Sequence, residues 1–233
     1  MPAKTAKATG RPPAGRAVAG AGKAARRPGR TTAKRSLRKA EGTRPFTVFL
    51  DRDGVLNENP GLQVRRWKDF RFLPGVPEAL ARLKAAGARL VLVTNQPGTM
   101  MLLSTPGMIH RLHDRMQEDL DLHHARLDRI EASFTFLPTR RRKPRPGMLE
   151  DATATLAEEG FAVDRTRAVM VGDKVKDAEA GHRFGIPAIL VATTHDATTL
   201  GAHALKRGVP VVAIVDGLPA AADTILRMME GQR

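Results

Sequence analysis

"TVFLDRDG", residues 47–54, runs an apolar stretch straight into three charges and a glycine, and its reading sets the fold. A short run of β-branched and aromatic residues closed by polar ones reads as a buried strand. The pattern returns at 89–93 ("RLVLV"), 132–136 ("ASFTF"), 167–171 ("RAVMV") and 188–191 ("AILV"), and 209–215 ("VPVVAIV") adds a sixth candidate. Between the runs, residues 76–86, 106–122, 147–160, 175–184 and 217–229 carry apolar side chains at helical spacing. Near-continuous apolar strands alternating with helices predict an α/β domain over 45–233, a doubly wound parallel sheet covered on both faces.

In such sheets the chemistry gathers where the carboxyl ends of the strands open into a crevice. The first strand runs into Asp51-Arg52-Asp53-Gly54 and the second into Thr94-Asn95-Gln96. The third leads, past a short loop, to "RRKPRPGM" with Lys143, and the fourth into "GDKVKD", residues 172–177. Asp51 and Asp53 would face opposite sides of a continuing strand, so Gly54 must let the turn carry the second carboxylate back. Asp173 joins them from a neighbouring strand end, and Asp177 follows one helical turn later. Clustered carboxylates call for a cation, since otherwise one of them stays protonated at neutral pH. Hard oxygen ligands suit Mg²⁺, which usually shares its shell with a phosphate, and a carboxylate-held metal beside a lysine is a phosphoryl-transfer site with Asp51 as nucleophile. Singly, each residue is ordinary: Asp51 or Asp173 would cap a helix, and Thr94 and Asn95 would make a turn. Lys143 would be one solvated cation among several. Their order, each at a strand end, carries the weight.

At these residues the chain resembles the haloacid dehalogenase superfamily of phosphotransferases, in the branch holding the heptose bisphosphate and histidinol phosphatases. "DRDGVLN", "VTNQ", "RRKPRPGM" and "VGDKVKDAEAG" match its four motifs in order, and the resemblance spans roughly residues 46 to 215. It implies a Rossmann-like core and a Mg²⁺-dependent phosphomonoester hydrolase acting through an aspartyl-phosphate on a small phosphorylated metabolite, a sugar phosphate or bisphosphate. It further implies that Asp51 attacks phosphorus and that Asp53 protonates the leaving oxygen and then activates water. Thr94 would bond the phosphoryl oxygens, with Asn95 beside it as a substrate contact, and Lys143 would hold the transferring charge. Asp173, Asp51 and the backbone carbonyl of Asp53 would ligate Mg²⁺, Arg142 and Lys174 would contact substrate, and Asp177 is a fainter candidate for holding Lys174 or a metal-bound water.

The branch typically carries a zinc loop of cysteines and a histidine before its third motif, but this chain has no cysteine and only residues 137–142 lie between Phe136 and Lys143. No zinc is expected, and His110, His113, His123 and His124 read as surface or packing residues of the 106–122 helix region. "PGTMMLLSTPGM" after "TNQ" and "NENPG" after the first motif also depart from the family, which leaves the substrate open. Between Asp53 and Thr94 there is room for a flap packed by Trp67, Phe70 and Phe72 but not for a large cap.

Residues 1–45 carry 13 Lys and Arg against Glu41 alone, +12 of the total +15, so the basic character belongs to a tail and not to the body. Residues 1–44 lack the apolar side chains to offset ordering entropy and are expected to be disordered. Such an arm suits a polyanion or nucleic acid through counterion release, and an organelle transit peptide or a solvated extension fits the same composition. That arm keeps two further readings in play: a phosphatase of nucleic-acid ends, and a non-catalytic nucleic-acid-associated protein of the same fold. No apolar stretch reaches membrane-spanning length and no signal-peptide core is visible, so a soluble cytoplasmic protein with no membrane partner is expected.

Overall fold

The computed structural model describes residues 44–59, 61, 64–99 and 104–231, so the expected disordered tail lies outside the described residues except for Arg44. Six strands form one sheet: β1 (Thr47–Leu50), β2 (Arg89–Asn95), β3 (Arg129–Ser133), β4 (Ala168–Gly172), β5 (Ala188–Val191) and β6 (Ala213–Val215). All neighbours run parallel, in the order β3-β2-β1-β4-β5-β6. The six helices among the described residues are α1 (Val76–Ala85), α2 (Pro106–Leu122), α3 (Gly147–Glu158), α4 (Val175–Phe184), α5 (Ala197–Lys206) and α6 (Leu218–Glu230).

The alternation of side chains along a strand sorts the core into two layers. Val48 and Leu50 of β1 join Leu90, Leu92, Val169 and Val171 against α1, α2 and α6. Phe49 faces the other way, with Val91, Val93, Met170 and Leu190, against α3, α4 and α5. Every residue of β1, β4 and β5 is buried, as expected for inner strands covered on both faces. The chain winds from β1 outward through β2 to β3, then crosses back to β4 beside β1. The strand order therefore reverses between β1 and β4, and it is at such a switch point that an open α/β sheet leaves a crevice.

Three elements differ from the sequence expectation. The third strand lies at 129–133, not 132–136, because its inward positions include a charge: buried Glu131 pairs with Arg129 (2.9 Å) and Arg141 (2.7 Å) and so can occupy an edge strand. Phe134 instead packs edge-on against His110, and Phe136 stands exposed beside the Arg142 guanidinium. The sixth strand is confined to Ala213–Val215. Helix α5 was not anticipated, since only Leu200 and Ala204 of it are buried, and its local signal is the Asp196 carboxylate that caps it by accepting from the Thr199 amide at 2.9 Å. His123 and His124 follow the end of α2 and do not lie on it.

The flap after Asp53 is short. Glu58 N–H donates to Arg71 O (3.0 Å) and Leu73 N–H to Leu56 O (3.0 Å), with Asn57 and Phe72 bridged antiparallel. Trp67 stacks on Phe70, and Phe70 meets Phe72 edge-on, both at 5.0 Å between ring centroids, so the three expected aromatics do pack it.

Candidate active site

Asp51 is the first residue past β1, and its amide continues the ladder to Val171 O at 2.9 Å. The chain then turns sharply: the Arg52 carbonyl accepts from the amides of Val55, Leu56 and Asn57, and Gly54 takes φ +86°. That angle belongs to the left-handed region where glycine is at ease. A side chain at Gly54 would also collide with the Asp173 carboxylate, so the glycine is what allows the β1 turn and the β4 turn to touch. Gly172 plays the matching part beneath Asp177, whose Cβ and carboxyl group fill the space a side chain there would need.

Asp51, Asp173 and Asp177 consequently converge, each offering a carboxylate oxygen within 4.8 Å of the others. All three are buried, and Lys143, itself 1% exposed, places its Nζ 2.8 Å from both Asp51 Oδ1 and Asp177 Oδ1. Burial by itself would push Asp51 upward, but the Lys143 charge, with Lys176 and the Arg52 amide behind it, holds the carboxyl below its ordinary value. Burial would strip Lys143 of its proton, yet Asp177 and Asp51 overcome this and raise it. Asp177 is pushed up to about 6, by burial first and by the neighbouring Asp51 and Asp173 charges, with Lys143 opposing. The fourth motif thus supplies two acids to the centre. Asp177 has a structural duty as well, since its Oδ2 accepts from the Lys174 amide (3.1 Å) at the start of α4.

Asp53 is set apart from this trio. Its carboxylate accepts from Arg52, from Asn57 Nδ2 (3.0 Å) and from Gln96 Nε2 (2.8 Å), and it lines the same cleft as Asp51. Thr94 is buried beside it and accepts from Gln96 Nε2 at 2.8 Å. Asn95 grips the Lys143 backbone at both groups, its Nδ2 donating to Lys143 O and its Oδ1 accepting from Lys143 N–H, both at 3.1 Å. Arg142 donates to Thr135 O (2.7 Å), and Lys174 Nζ lies 2.7 Å from Asp173 Oδ2. The cleft holds about 340 Å³, and Asp51, Asp53, Asn95, Arg142, Lys174 and Lys176 contribute to its walls.

All the residues singled out in the sequence therefore meet at one rim of the sheet. Reading the motifs missed Arg52, Asn57, Gln96, Lys176 and Thr194. Thr194, from the turn after β5, donates to Asp173 Oδ2 at 2.6 Å; "ATT" after the fifth apolar run was its signal. Arg52 had no signal, because nothing local distinguishes a buried guanidinium from a solvated one.

The acid trio is the one group of histidine and acid side chains among the described residues close enough to share an ion. Asp173 Oδ1 is buried without any hydrogen-bond partner, a costly condition that an ion would relieve. An all-oxygen donor set of this charge fits a hard divalent cation.

A HAD-hydrolase-like family model matches residues 140–219. The chain is 37% identical over 162 residues, 66% of its length, to the D-glycero-D-manno-heptose-1,7-bisphosphate 7-phosphatase of Chlorobaculum tepidum, and covers 81% of that protein. This chain belongs to the haloacid dehalogenase superfamily. Within that superfamily it sits among the heptose bisphosphate phosphatases, and it is a phosphatase by class. The corresponding Bordetella bronchiseptica enzyme is 30% identical over 186 residues, 97% of its own length. The crystal structure of the B. bronchiseptica D,D-heptose 1,7-bisphosphate phosphatase, complexed with magnesium and phosphate, superimposes with a TM-score of 0.68, covering 78% of this chain and 98% of that one. The Burkholderia thailandensis enzyme is 31% identical with a TM-score of 0.53, over 77% and 97% of the two chains.

Proposed function

We propose that this HAD phosphatase is a Mg²⁺-dependent phosphomonoester hydrolase acting through an aspartyl-phosphate on a small phosphorylated sugar, in the cytoplasm, with the domain at 45–233 as the catalytic unit. The observation that carries the reading is the meeting of Asp51, Asp173 and Asp177 around the Lys143 ammonium at the β1/β4 switch point. Mg²⁺ held by Asp51, Asp173 and the Asp53 carbonyl, with Asp177 at its edge, would offset the charge of carboxylate and phosphoryl group as they approach. Asp53 enters the cycle as the carboxylic acid: Asp51, held ionised by Lys143, forms a bond to phosphorus as the bond to the ester oxygen breaks, and Asp53 gives that oxygen its proton. Water then attacks the acyl phosphate, Asp53 takes the proton back, and phosphate leaves with Asp51 restored. Lys143 stays charged throughout and stabilises negative charge on the transferring group, with Thr94 as a hydroxyl donor. Arg142 and Lys174, on the cleft wall, orient the rest of the substrate.

The relatives' bisphosphate substrate supports a sugar bisphosphate here. So does a basic groove of about 500 Å³ that continues from the cleft through Lys174 and Lys176, with His195, His203 and Lys206 along it, in a position to meet a second phosphate. The test is a phosphate-release screen over sugar monophosphates and bisphosphates, heptose 1,7-bisphosphate among them, amino-alcohol phosphates, nucleotides and a 3′-phosphorylated oligonucleotide. Highest kcat/KM on a sugar phosphate is expected. Preference for the oligonucleotide would favour the nucleic-acid-end reading, and no turnover of any ester would refute a catalytic role.

A further inference from the structure

The second residue of the first motif is buried, charged and absent from the mechanism above. The Arg52 side chain is wholly withdrawn from solvent, which for a guanidinium costs several kcal/mol unless partners meet it. The partners are specific. Nε lies 3.1 Å from Asp53 Oδ1, and Nη2 lies 2.8 Å from Oδ1 and 3.0 Å from Oδ2, a planar fork closed on one carboxylate. Behind the fork, Nη2 also donates to Val64 O at 3.2 Å, and Nη1 stands 3.3 Å from His113 Nε2 on α2. Since a guanidinium only donates, His113 Nε2 must be the acceptor, which requires a neutral imidazole protonated at Nδ1. The imidazole is buried and faces Arg52 and His110, which favours that neutral form.

A carboxylate on a turn has two free side-chain torsions, whereas proton delivery to a leaving oxygen tolerates misplacement of only about half an ångström. Asn57 on Oδ1 and Gln96 on Oδ2 meet Asp53 from two sides, and the Arg52 fork, with three contacts spread over both oxygens, is the charged hold on the same carboxyl group. We infer that Arg52 and His113 form a positioning pair for Asp53: His113 holds the guanidinium by its edge, and the guanidinium aims the carboxyl group at the leaving oxygen. This rests on the acid–base role proposed for Asp53. Neither residue touches the substrate, and the pair ties α2 to the catalytic turn.

Misaiming a general acid harms esters in proportion to their need for a proton. An alkyl phosphate must protonate its leaving oxygen, while p-nitrophenolate departs unaided, and kcat/KM reports the first transfer alone. The experiment compares His113→Leu, His113→Gln and Arg52→Lys with the wild type on p-nitrophenyl phosphate and on the best alkyl ester of the screen, with circular dichroism melts as the folding control. Roughly tenfold or greater loss in kcat/KM on the alkyl ester is expected for His113→Leu and Arg52→Lys. On p-nitrophenyl phosphate the loss should stay below about threefold, and His113→Gln, whose amide oxygen can accept from Arg52, should recover most of the activity. Equal losses on the two esters, or none on either, overturn the inference and leave the phosphatase reading standing. Should His113→Leu not fold, Arg52→Lys alone decides by the same ratio. A wild type inactive on every ester would remove the phosphatase reading itself, and this inference with it.

Discussion

Two single residues carry consequences that measurement can reach. Replacing Asp51 by Asn removes the nucleophile while keeping the side-chain volume and easing the crowding of carboxylates. Turnover should fall by at least about 10⁴-fold with an unchanged circular dichroism spectrum, and an active Asp51→Asn protein would exclude it as nucleophile. His113 gives a prediction in pH. Burial first, then the charges of Arg52 and His110, hold its pKa at about 3 against an ordinary 6.5. A folded-state value below the unfolded one means a contribution to stability that is complete above pH 6.5 and is lost as pH falls toward 3. At 1.36 kcal/mol per unit the loss is about 2 kcal/mol by pH 5. Denaturant titrations between pH 7 and 5 should show His113→Gln flatter than wild type by that amount, and identical slopes would mean the imidazole is not held neutral. Asp177, in the sequence only a fainter candidate for holding Lys174 or a metal-bound water, sits at the centre because Gly172 makes space for it.

At the scale of elements, the site is an agreement between strand ends and loops. The segment after β3 delivers Lys143 to the acids from a long connection, and its backbone is fastened to the end of β2 by the two hydrogen bonds of the Asn95 amide. Asn95→Ala should therefore lower kcat on every ester alike, by roughly 10- to 100-fold, through a loosened Lys143, while costing about 1–3 kcal/mol of stability in thermal melts. A change in KM alone would instead mark Asn95 as a substrate contact, the role first read for it. The helices and inner strands were legible from sequence wherever an apolar period ran uninterrupted, as in α2, α4, β1 and β5. The reading slipped where partners distant in sequence satisfied a charge, as Arg141 does for Glu131 in β3. It also failed where a helix buried only two side chains, as α5 does.

For the whole molecule, the parallel order β3-β2-β1-β4-β5-β6 sets Asp51 next to Asp173 although more than a hundred residues separate them. Chelation should abolish turnover and Mg²⁺ should restore it. Mg²⁺ should also raise the melting temperature of the wild type but not of Asp173→Asn, because a ligand bound by the folded state alone stabilises it by mass action. An unshifted wild type would argue against a resident cation. The basic segment is a separate question. Removing residues 1–43 should leave kcat/KM on sugar phosphates unchanged, within about twofold, and should weaken retention on heparin, as expected if its charge serves polyanions and not catalysis. A large loss on sugar phosphates would make the segment part of the active site.

The sequence by itself determined the parallel α/β architecture, since two-faced burial leaves its mark in every inner strand, and it placed the chemistry at the strand ends, where the motifs break the apolar runs. Only the tertiary structure decided which acids meet, that Asn95 holds a backbone, and that Arg52 lies buried against His113. The physical reason is that periodicity along the chain reports which side chains are withdrawn from water, whereas the partner of a buried charge is set by packing between elements far apart in sequence, which no local pattern records.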